Sequence, residues 1–127
     1  MKLAEQEALL KEWQIRLGLC DWHIKMYPKC KPEDLELEDV AGEVSWQEVN
    51  KTARINIIKP KYYGNRIEPF DFEKTLVHEL LHLKTCLLSD QVDELQARVA
   101  HMLIDDLARA LVDAKRFGTE DEEKTCK

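Results

Sequence analysis

The sequence predicts a small α+β domain in which helices pack on one face of an antiparallel or mixed sheet of about three strands. Three observations predict this class: an amphipathic segment opens the chain, segments of alternating polarity follow, and two helical segments close it. A length of 127 residues is typical of one domain. We therefore expect a single domain over residues 1–116 and a polar C-terminal tail over residues 117–127.

The first element is an amphipathic helix. Residues 3–17 place leucines and Trp13 at helical spacing among charged and polar side chains. Gly18 follows directly, and glycine is the residue that most often ends a helix. The start of the chain is therefore predicted to be an N-terminal helix that buries Trp13.

The middle of the chain is predicted to form the sheet. Residues 22–26 alternate between apolar and polar side chains, as a half-buried strand does. Two further segments with this alternation, residues 44–49 and 53–57, flank Asn50-Lys51. This arrangement predicts a hairpin whose turn lies at Asn50 and Lys51.

Two helices are predicted after the sheet, over residues 71–88 and 91–116, with a turn at Ser89-Asp90. Each helix has an apolar stripe at helical spacing that we expect to lie in the core. In the first helix the stripe consists of Phe72, Leu76, Leu80, Leu83 and Leu87. In the second helix the predicted stripe consists of Val92, Leu95, Val99, Leu103 and Ala110.

The composition argues against two classes of partner. Nineteen basic against 25 acidic residues give a net charge of −6, which does not suit binding to nucleic-acid phosphates. The chain has no apolar run near the roughly 18 residues that a membrane span needs, and residues 1–7 lack the features of a secretory signal. The four cysteines show no C-x-x-C spacing. We expect a cytoplasmic protein that does not bind membranes or nucleic acid.

The motif that carries chemistry is His78-Glu79-Leu80-Leu81-His82, an H-E-x-x-H sequence inside the first of these two helices. Residues four apart project from the same face of a helix, so His78 and His82 can bind one metal ion through neutral imidazole nitrogens. They lie on an arc separate from the apolar stripe. The motif predicts a zinc site in which Glu79 acts as the general base of a hydrolase.

A catalytic zinc ion usually has three protein ligands. The extended motif that would supply a third histidine is absent, because Thr85 and Leu88 occupy the required positions. If the last two helices pair through a short turn, Glu94 and His101 can both reach the ion, and we favour Glu94, with His101 as a second-shell residue or the alternative ligand. Further candidates on that helix are Asp93, Asp105 and Asp106.

The segments around these residues resemble those of a known family. Residues 75–83, which contain the H-E-x-x-H sequence, followed by Asp93-Glu94-Leu95-Gln96-Ala97, are similar to the gluzincin pattern. The short chain resembles a minigluzincin, a minimal zincin-like zinc metallopeptidase, over roughly residues 20–111. The resemblance implies His78, His82 and Glu94 as zinc ligands, Glu79 as the base, and a sheet edge that binds a peptide substrate as an added strand.

The predicted function is hydrolysis of peptide bonds by a zinc metallopeptidase. Tyr62, Tyr63, Arg66 and His101 could stabilise the oxyanion, although packing in the loop before the motif helix is the favoured role for the two tyrosines. A latent form is a variant of this hypothesis, because the acids and Cys126 of the tail could cover the metal. Two alternatives stay open: a non-catalytic zinc-binding regulatory or peptide-binding module, and a DNA-associated protease of the Spartan-like kind.

Overall fold

The computed structural model describes residues 1–86 and 93–118, and within these ranges the chain forms three helices, three strands and two short 3-10 helices. In chain order the main elements are α1 (Leu3–Arg16), β1 (His23–Cys30), β2 (Gly42–Gln47), β3 (Thr52–Ile58), α2 (Phe72–Lys84) and α3 (Glu94–Gly118). The 3-10 helices are Pro32–Asp34 and Pro60–Tyr62. The predicted α+β class and the predicted order of elements are confirmed.

The sheet is mixed, with the strand order β1-β3-β2. The central strand β3 is parallel to β1 and antiparallel to β2, and its Ile55 and Ile57 are fully buried on one face. The predicted hairpin joins β2 to β3, and Lys51 in its turn has a φ of 52°. The loop has four residues, since Gln47 pairs with Thr52, and it closes with Lys51 N–H donating to the Glu48 carbonyl oxygen at 3.3 Å. A turn that is followed by a residue with a positive φ is common in hairpin loops longer than two residues.

The outer edge of β2 is unpaired within the described residues. Ile58 N–H donates to the Ala41 carbonyl oxygen at 2.9 Å, just before β2 begins. In an antiparallel ladder, residues alternate between those bonded to the partner strand and those that point away from it. The register therefore directs the backbone N–H and C=O groups of Gly42, Val44 and Trp46 away from β3.

The apolar stripe predicted for α2 forms the centre of the core. Leu76, Leu80 and Leu83 are at most 1% exposed and Phe72 is 6% exposed, whereas Leu87 lies outside the described residues. Trp13 of α1 is buried in the same cluster, as predicted. His78 and His82 lie on another arc of α2 and are only half-buried.

The core stripe predicted for α3 is wrong. Its described members, Leu95, Val99, Leu103 and Ala110, are all exposed, and Val92 lies outside the described residues. The helix instead buries Ile104, Ala108 and Val112 against α2. Because α3 carries apolar residues on two arcs, hydrophobic period alone does not select between them. Ion pairs between the C-terminal part of α3 and the start of α2 favour the arc that is buried.

A buried carboxylate joins α3 to the other two helices. Glu73 of α2, whose side chain is 7% exposed, accepts a hydrogen bond from Trp13 Nε1 at 2.7 Å. Lys115 and Arg116 of α3 bind the same carboxylate. Arg116 also binds Asp71 at 2.7 and 2.9 Å. These contacts fix where the C-terminal part of α3 sits along α2.

One predicted boundary differs from the structure, and another lies outside the described residues. α3 extends to Gly118, so residues 117 and 118 belong to the helix and not to the predicted tail. The predicted turn at Ser89-Asp90 and the remainder of the tail, including Cys126, lie outside the described residues. No helix in residues 1–86 and 93–118 combines the length and the apolar character needed to span a membrane.

We predict that Glu73→Gln lowers the free energy of unfolding by about 3 kcal/mol, because it leaves Lys115 and Arg116 without their buried partner. Burial alone would raise the pKa of Glu73, but hydrogen bonds from Lys115 and Trp13 outweigh it and hold the pKa below its ordinary value of 4.5. A lowered pKa stabilises the fold above that value and ceases to do so as the pH falls.

Urea denaturation at pH 7 and in the acid range measures both effects. The difference between wild type and Glu73→Gln should shrink as the pH falls below about 4. Glu7→Gln, a change at an exposed glutamate of α1, is the matched control and should be neutral. A Glu73→Gln protein as stable as this control would contradict the assigned role.

Candidate metal centre

The residue that caps the N-terminus of α2 determines where the helix begins and so which of its side chains face α3. The Asp71 side chain caps the helix by accepting from the Lys74 N–H at 3.1 Å, which satisfies one of the unpaired N–H groups of its first turn. With the helix starting there, His78 and His82 fall on the face that looks towards α3. Their Nε2 atoms lie 3.1 Å apart. Both imidazoles therefore point to one place.

The separation of the two nitrogens suits a shared metal ion. Two nitrogens at the usual zinc–nitrogen distance of about 2.0–2.1 Å in a tetrahedral site lie roughly 3.3–3.4 Å apart. The observed 3.1 Å between His78 Nε2 and His82 Nε2 is close to that value. Little movement of α2 is needed to bind an ion.

α3 contributes a third imidazole. The ring centroid of His101 lies 4.8 Å from that of His78 and 5.2 Å from that of His82. One ligand atom from each of the three residues can be chosen so that all lie within 4.8 Å of one another. The cluster could hold a metal ion. His101 is exposed, so side-chain rotation can supply the roughly 1–1.5 Å that tetrahedral spacing still requires.

Glu94, the favoured third ligand, is not in this cluster. It is the first residue of α3 and is exposed. Asp93 caps the helix, because its carboxylate accepts from Gln96 N–H at 2.8 Å while the Gln96 side chain accepts from Asp93 N–H. The D-x-x-Q spacing of this capping box was a sequence signal for that start. The structure thus brings His101, the alternative, to His78 and leaves Glu94 apart.

The environment keeps the α2 imidazoles neutral, which is the form that binds metal. Burial, together with the nearby His78 and His101, lowers the pKa of His82 to about 4. Burial and the proximity of His101 also lower the pKa of His78, although Asp105 acts in the opposite direction. At neutral pH both rings therefore offer a lone pair.

Glu79 is a buried carboxyl group that has no partner among the described residues. It is 6% exposed, and within residues 1–86 and 93–118 no hydrogen bond or ion pair reaches its side chain. Burial, with a smaller contribution from the charge of Glu43, raises its pKa to about 8. Because Glu79 lines the cleft, a molecule bound in the cleft can supply a partner. A nearby cation would lower this pKa again.

The neighbouring Glu43 is anchored, by contrast. Its carboxylate accepts hydrogen bonds from Asn56 Nδ2 at 3.1 Å and from the backbone N–H groups of Glu36 and Leu37 at 2.9 and 3.0 Å. Burial alone would raise the pKa of Glu43, but these hydrogen bonds hold it below its ordinary value. Glu43 therefore carries a fixed negative charge, and Glu79 is the group that remains free to exchange a proton.

The cluster lies in a cleft of about 470 Å³ between β2, the β3–α2 connection, α2 and α3. Of the residues considered for the oxyanion, Tyr63, Arg66 and His101 line this cleft. Tyr63 packs edge-on against Phe70 with the ring centroids 5.3 Å apart, and the Arg66 guanidinium lies over the Tyr63 ring. Tyr62 ends the short 3-10 helix that begins at Pro60.

Gly42 allows β2 to approach the helix that carries the motif. A Cβ at this position would lie 3.0 Å from Thr75 Cγ2, 3.2 Å from the Asn56 carbonyl oxygen and 3.4 Å from Glu79 Cγ. The first two distances are tighter than nine in ten real Cβ contacts, and the third is at the limit of ordinary van der Waals contact. The absence of a side chain at Gly42 therefore sets the distance between the free sheet edge and Glu79.

We predict that Gly42→Ala forces β2 and α2 apart by a few tenths of an ångström and destabilises the protein by about 1–3 kcal/mol, the usual cost of overpacking. Gly118→Ala is the matched control, since a Cβ there meets nothing within 4 Å. Thermal and urea unfolding of both variants make the comparison. Equal stability of the two variants would argue against the close approach.

We predict one zinc ion per chain and a ranking of ligands. His82→Ala should abolish binding, and His101→Ala should weaken zinc affinity by more than the roughly 10- to 100-fold typical of an outer-shell loss. Glu94→Ala should leave the affinity unchanged, because Glu94 stands outside the cluster. Elemental analysis and competition with a chelator measure these values. A larger loss of zinc affinity in Glu94→Ala than in His101→Ala would show that Glu94 is the third ligand.

Comparison of the chain with protein-family models, curated proteins and solved structures found no match in any of the three.

Proposed function

We propose that the protein is a zincin-like zinc metallopeptidase that hydrolyses peptide bonds. The observation that carries the proposal is the state of Glu79, a buried carboxyl group that faces the cleft without a protein partner. An uncompensated buried carboxyl group is costly to keep, and such groups concentrate at functional sites. Its position beside three imidazoles favours a hydrolytic role.

The donor set supports zinc as the cofactor. His78, His82 and His101 offer three nitrogen atoms, which suits zinc at a catalytic site and leaves a further position for water or substrate. When bound, zinc would polarise the scissile carbonyl group and increase the acidity of a water molecule. Minigluzincin-like enzymes are the family whose pattern this arrangement resembles, with His101 taking the position expected for Glu94.

The role proposed for Glu79 is proton transfer. Its carboxylate accepts a proton from the attacking water molecule and returns it to the amine that leaves when the peptide bond breaks. Glu79 suits this cycle because no hydrogen bond within the described residues fixes its oxygens. Glu43, which is held by hydrogen bonds of its own, opposes the ionised form of Glu79 and favours the return of the proton to the product.

An extended peptide is the substrate class that the cleft favours. The unpaired N–H and C=O groups of Gly42, Val44 and Trp46 form a row along one wall of the cleft. Backbone groups of this kind bind a peptide as an added strand, whatever its sequence. Gly42 brings that row close to Glu79, so the peptide bond to be cut would lie beside the base.

We also propose that the enzyme works in a reducing compartment such as the cytoplasm, on peptide or protein substrates and not on membranes or nucleic acid. Cys20 and Cys30 are free thiols, which supports a reducing setting. The net charge of −6 supports the exclusion of nucleic acid.

The experiment that tests the proposal compares zinc-loaded wild type with Glu79→Gln. We expect wild type to cleave an unstructured peptide library, and we expect Glu79→Gln to bind zinc equally well but to lose at least about 100-fold in rate. Glu48→Gln, a change at an exposed residue of the hairpin turn, is the matched control. Mass spectrometry of the library measures cleavage, and elemental analysis measures zinc.

The possible outcomes separate the candidate functions. Zinc binding without cleavage by the wild type, together with peptide binding, would favour the non-catalytic peptide-binding module. Cleavage by Glu79→Gln at the wild-type rate would contradict the role of Glu79 as the base.

A further inference from the structure

One side of α3 carries a large apolar surface that is open to solvent. Its main members are 47–65% exposed, and they are Leu95, Val99, Met102, Leu103 and Leu107. Together they leave roughly 500 Å² of apolar side-chain surface in contact with water. Soluble monomers rarely expose contiguous apolar patches larger than a few hundred Å², and such patches mark interaction sites. We call this surface the outer face of α3.

Packing within the described residues does not cover the outer face. The side chains that α3 buries, Ile104, Ala108 and Val112, lie on the opposite side of the helix. Residues 119–127 contain no large apolar side chain that could cover it. Residues 94–103, the half of α3 that includes His101, contain no buried side chain. That half of the helix therefore gains most from an external contact.

The outer face has the pattern of a helix-packing ridge. One row of large side chains continues at intervals of four residues, through Leu95, Val99, Leu103, Leu107 and Leu111. The neighbouring row ends in Ala110 and Ala114, whose small side chains leave a groove beside the leucines. Rows of this spacing pack into such grooves in the commonest class of helix pair. A ridge and a groove on the same face fit a second copy of the same helix.

The row is symmetric about Leu103, which favours a second copy of this chain as the partner. When a twofold axis passes beside Leu103, the two copies of α3 run in opposite directions and Leu103 meets its own counterpart. Val99 then faces Leu107 of the partner subunit. A twofold contact requires a surface that is complementary to itself, and this row meets that requirement.

The charges beside the row agree with the same arrangement. Arg98 and Asp106 are exposed, border the same side of the row, and have no ion-pair partner among the described residues. They lie on either side of Leu103 along the helix. The twofold axis therefore brings Arg98 close to Asp106 of the partner subunit, and the pair occurs twice in the dimer.

We propose that two copies of this chain form a symmetric dimer through the outer face of α3, with the twofold axis beside Leu103. The apolar surface and the charged groups that border it approach the roughly 600–800 Å² per subunit that specific interfaces bury. His101 lies on the opposite side of α3, so the interface contains no member of the histidine cluster. The dimer supports the half of α3 that carries His101, and its formation does not depend on the proposed peptidase activity.

Sedimentation equilibrium of the full chain tests the proposal at protein concentrations from about 1 to 100 μM, where interfaces of this size associate. We expect wild type to reach the mass of two chains. Leu103→Glu should weaken association at least about 100-fold, because two acids meet at the centre of the interface. Val49→Glu, the same kind of change at a fully exposed apolar residue of the hairpin turn, is the matched control and should dimerise like wild type.

Two results of this experiment would overturn the proposal. Wild type that sediments as a single chain at every concentration would show that the outer face is covered within the chain or by a different protein. Equal dimerisation of Leu103→Glu and Val49→Glu would show that the contact lies elsewhere. Circular dichroism should give both variants the helix content of wild type, because both residues are exposed in the single chain.

The charged pair provides a second test, which does not depend on Leu103→Glu. Arg98→Glu and Asp106→Arg should each weaken association about 10-fold, because two favourable ion pairs become repulsive. An equimolar mixture of the two variants should associate as tightly as wild type, since each copy then supplies the charge that the other lacks. Single variants that dimerise normally, or a mixture that associates no more tightly than either variant alone, would contradict the twofold arrangement.

Discussion

The antiparallel register of α2 and α3 is the constraint on which the candidate metal centre depends. Two histidines come from α2 and one from α3, so the cluster exists only at one setting of the helices. A slide of one helical turn, about 5.4 Å, would replace His101 by Ala97 or Asp105. The buried Glu73, bound by Lys115 at the far end of the interface, opposes such a slide because no other pairing satisfies its charge.

Two buried carboxyl groups of α2 have different roles, one in stabilising the fold and one in the proposed chemistry. The N-terminal turns of α2 carry a carboxylate that is fully paired, at Glu73, and the middle turns carry one that is left unpaired, at Glu79. The second arrangement is unfavourable for the isolated fold, and a cation bound by the adjacent histidines would relieve it. Metal binding at this cluster would therefore be coupled to folding, and we predict that the metal-loaded protein is the more stable form.

Sequence reasoning predicted α2 almost completely, because its apolar period and the H-E-x-x-H spacing are both local. It did not select the stripe of α3 that is buried, or the α3 side chain that lies beside His78 and His82. The face of α3 that looks towards α2 follows His101, Asp105, Ala108 and Val112 at alternating spacings of four and three, and only its last two members are buried. Its mixture of polar and small side chains concealed that period, whereas the more apolar stripe through Leu95, Val99 and Leu103 is exposed. The relative position of two helices is a tertiary property that neither helix encodes alone.

The central claim is that three imidazoles from α2 and α3 bind one zinc ion. Anomalous diffraction at the zinc absorption edge, on crystals of the zinc-loaded protein, tests it most directly. The account predicts one anomalous peak per chain, about 2.0–2.1 Å from a ring nitrogen of each of His78, His82 and His101. A peak bound by Glu94 in place of His101, or no peak between the two α2 histidines, would contradict it.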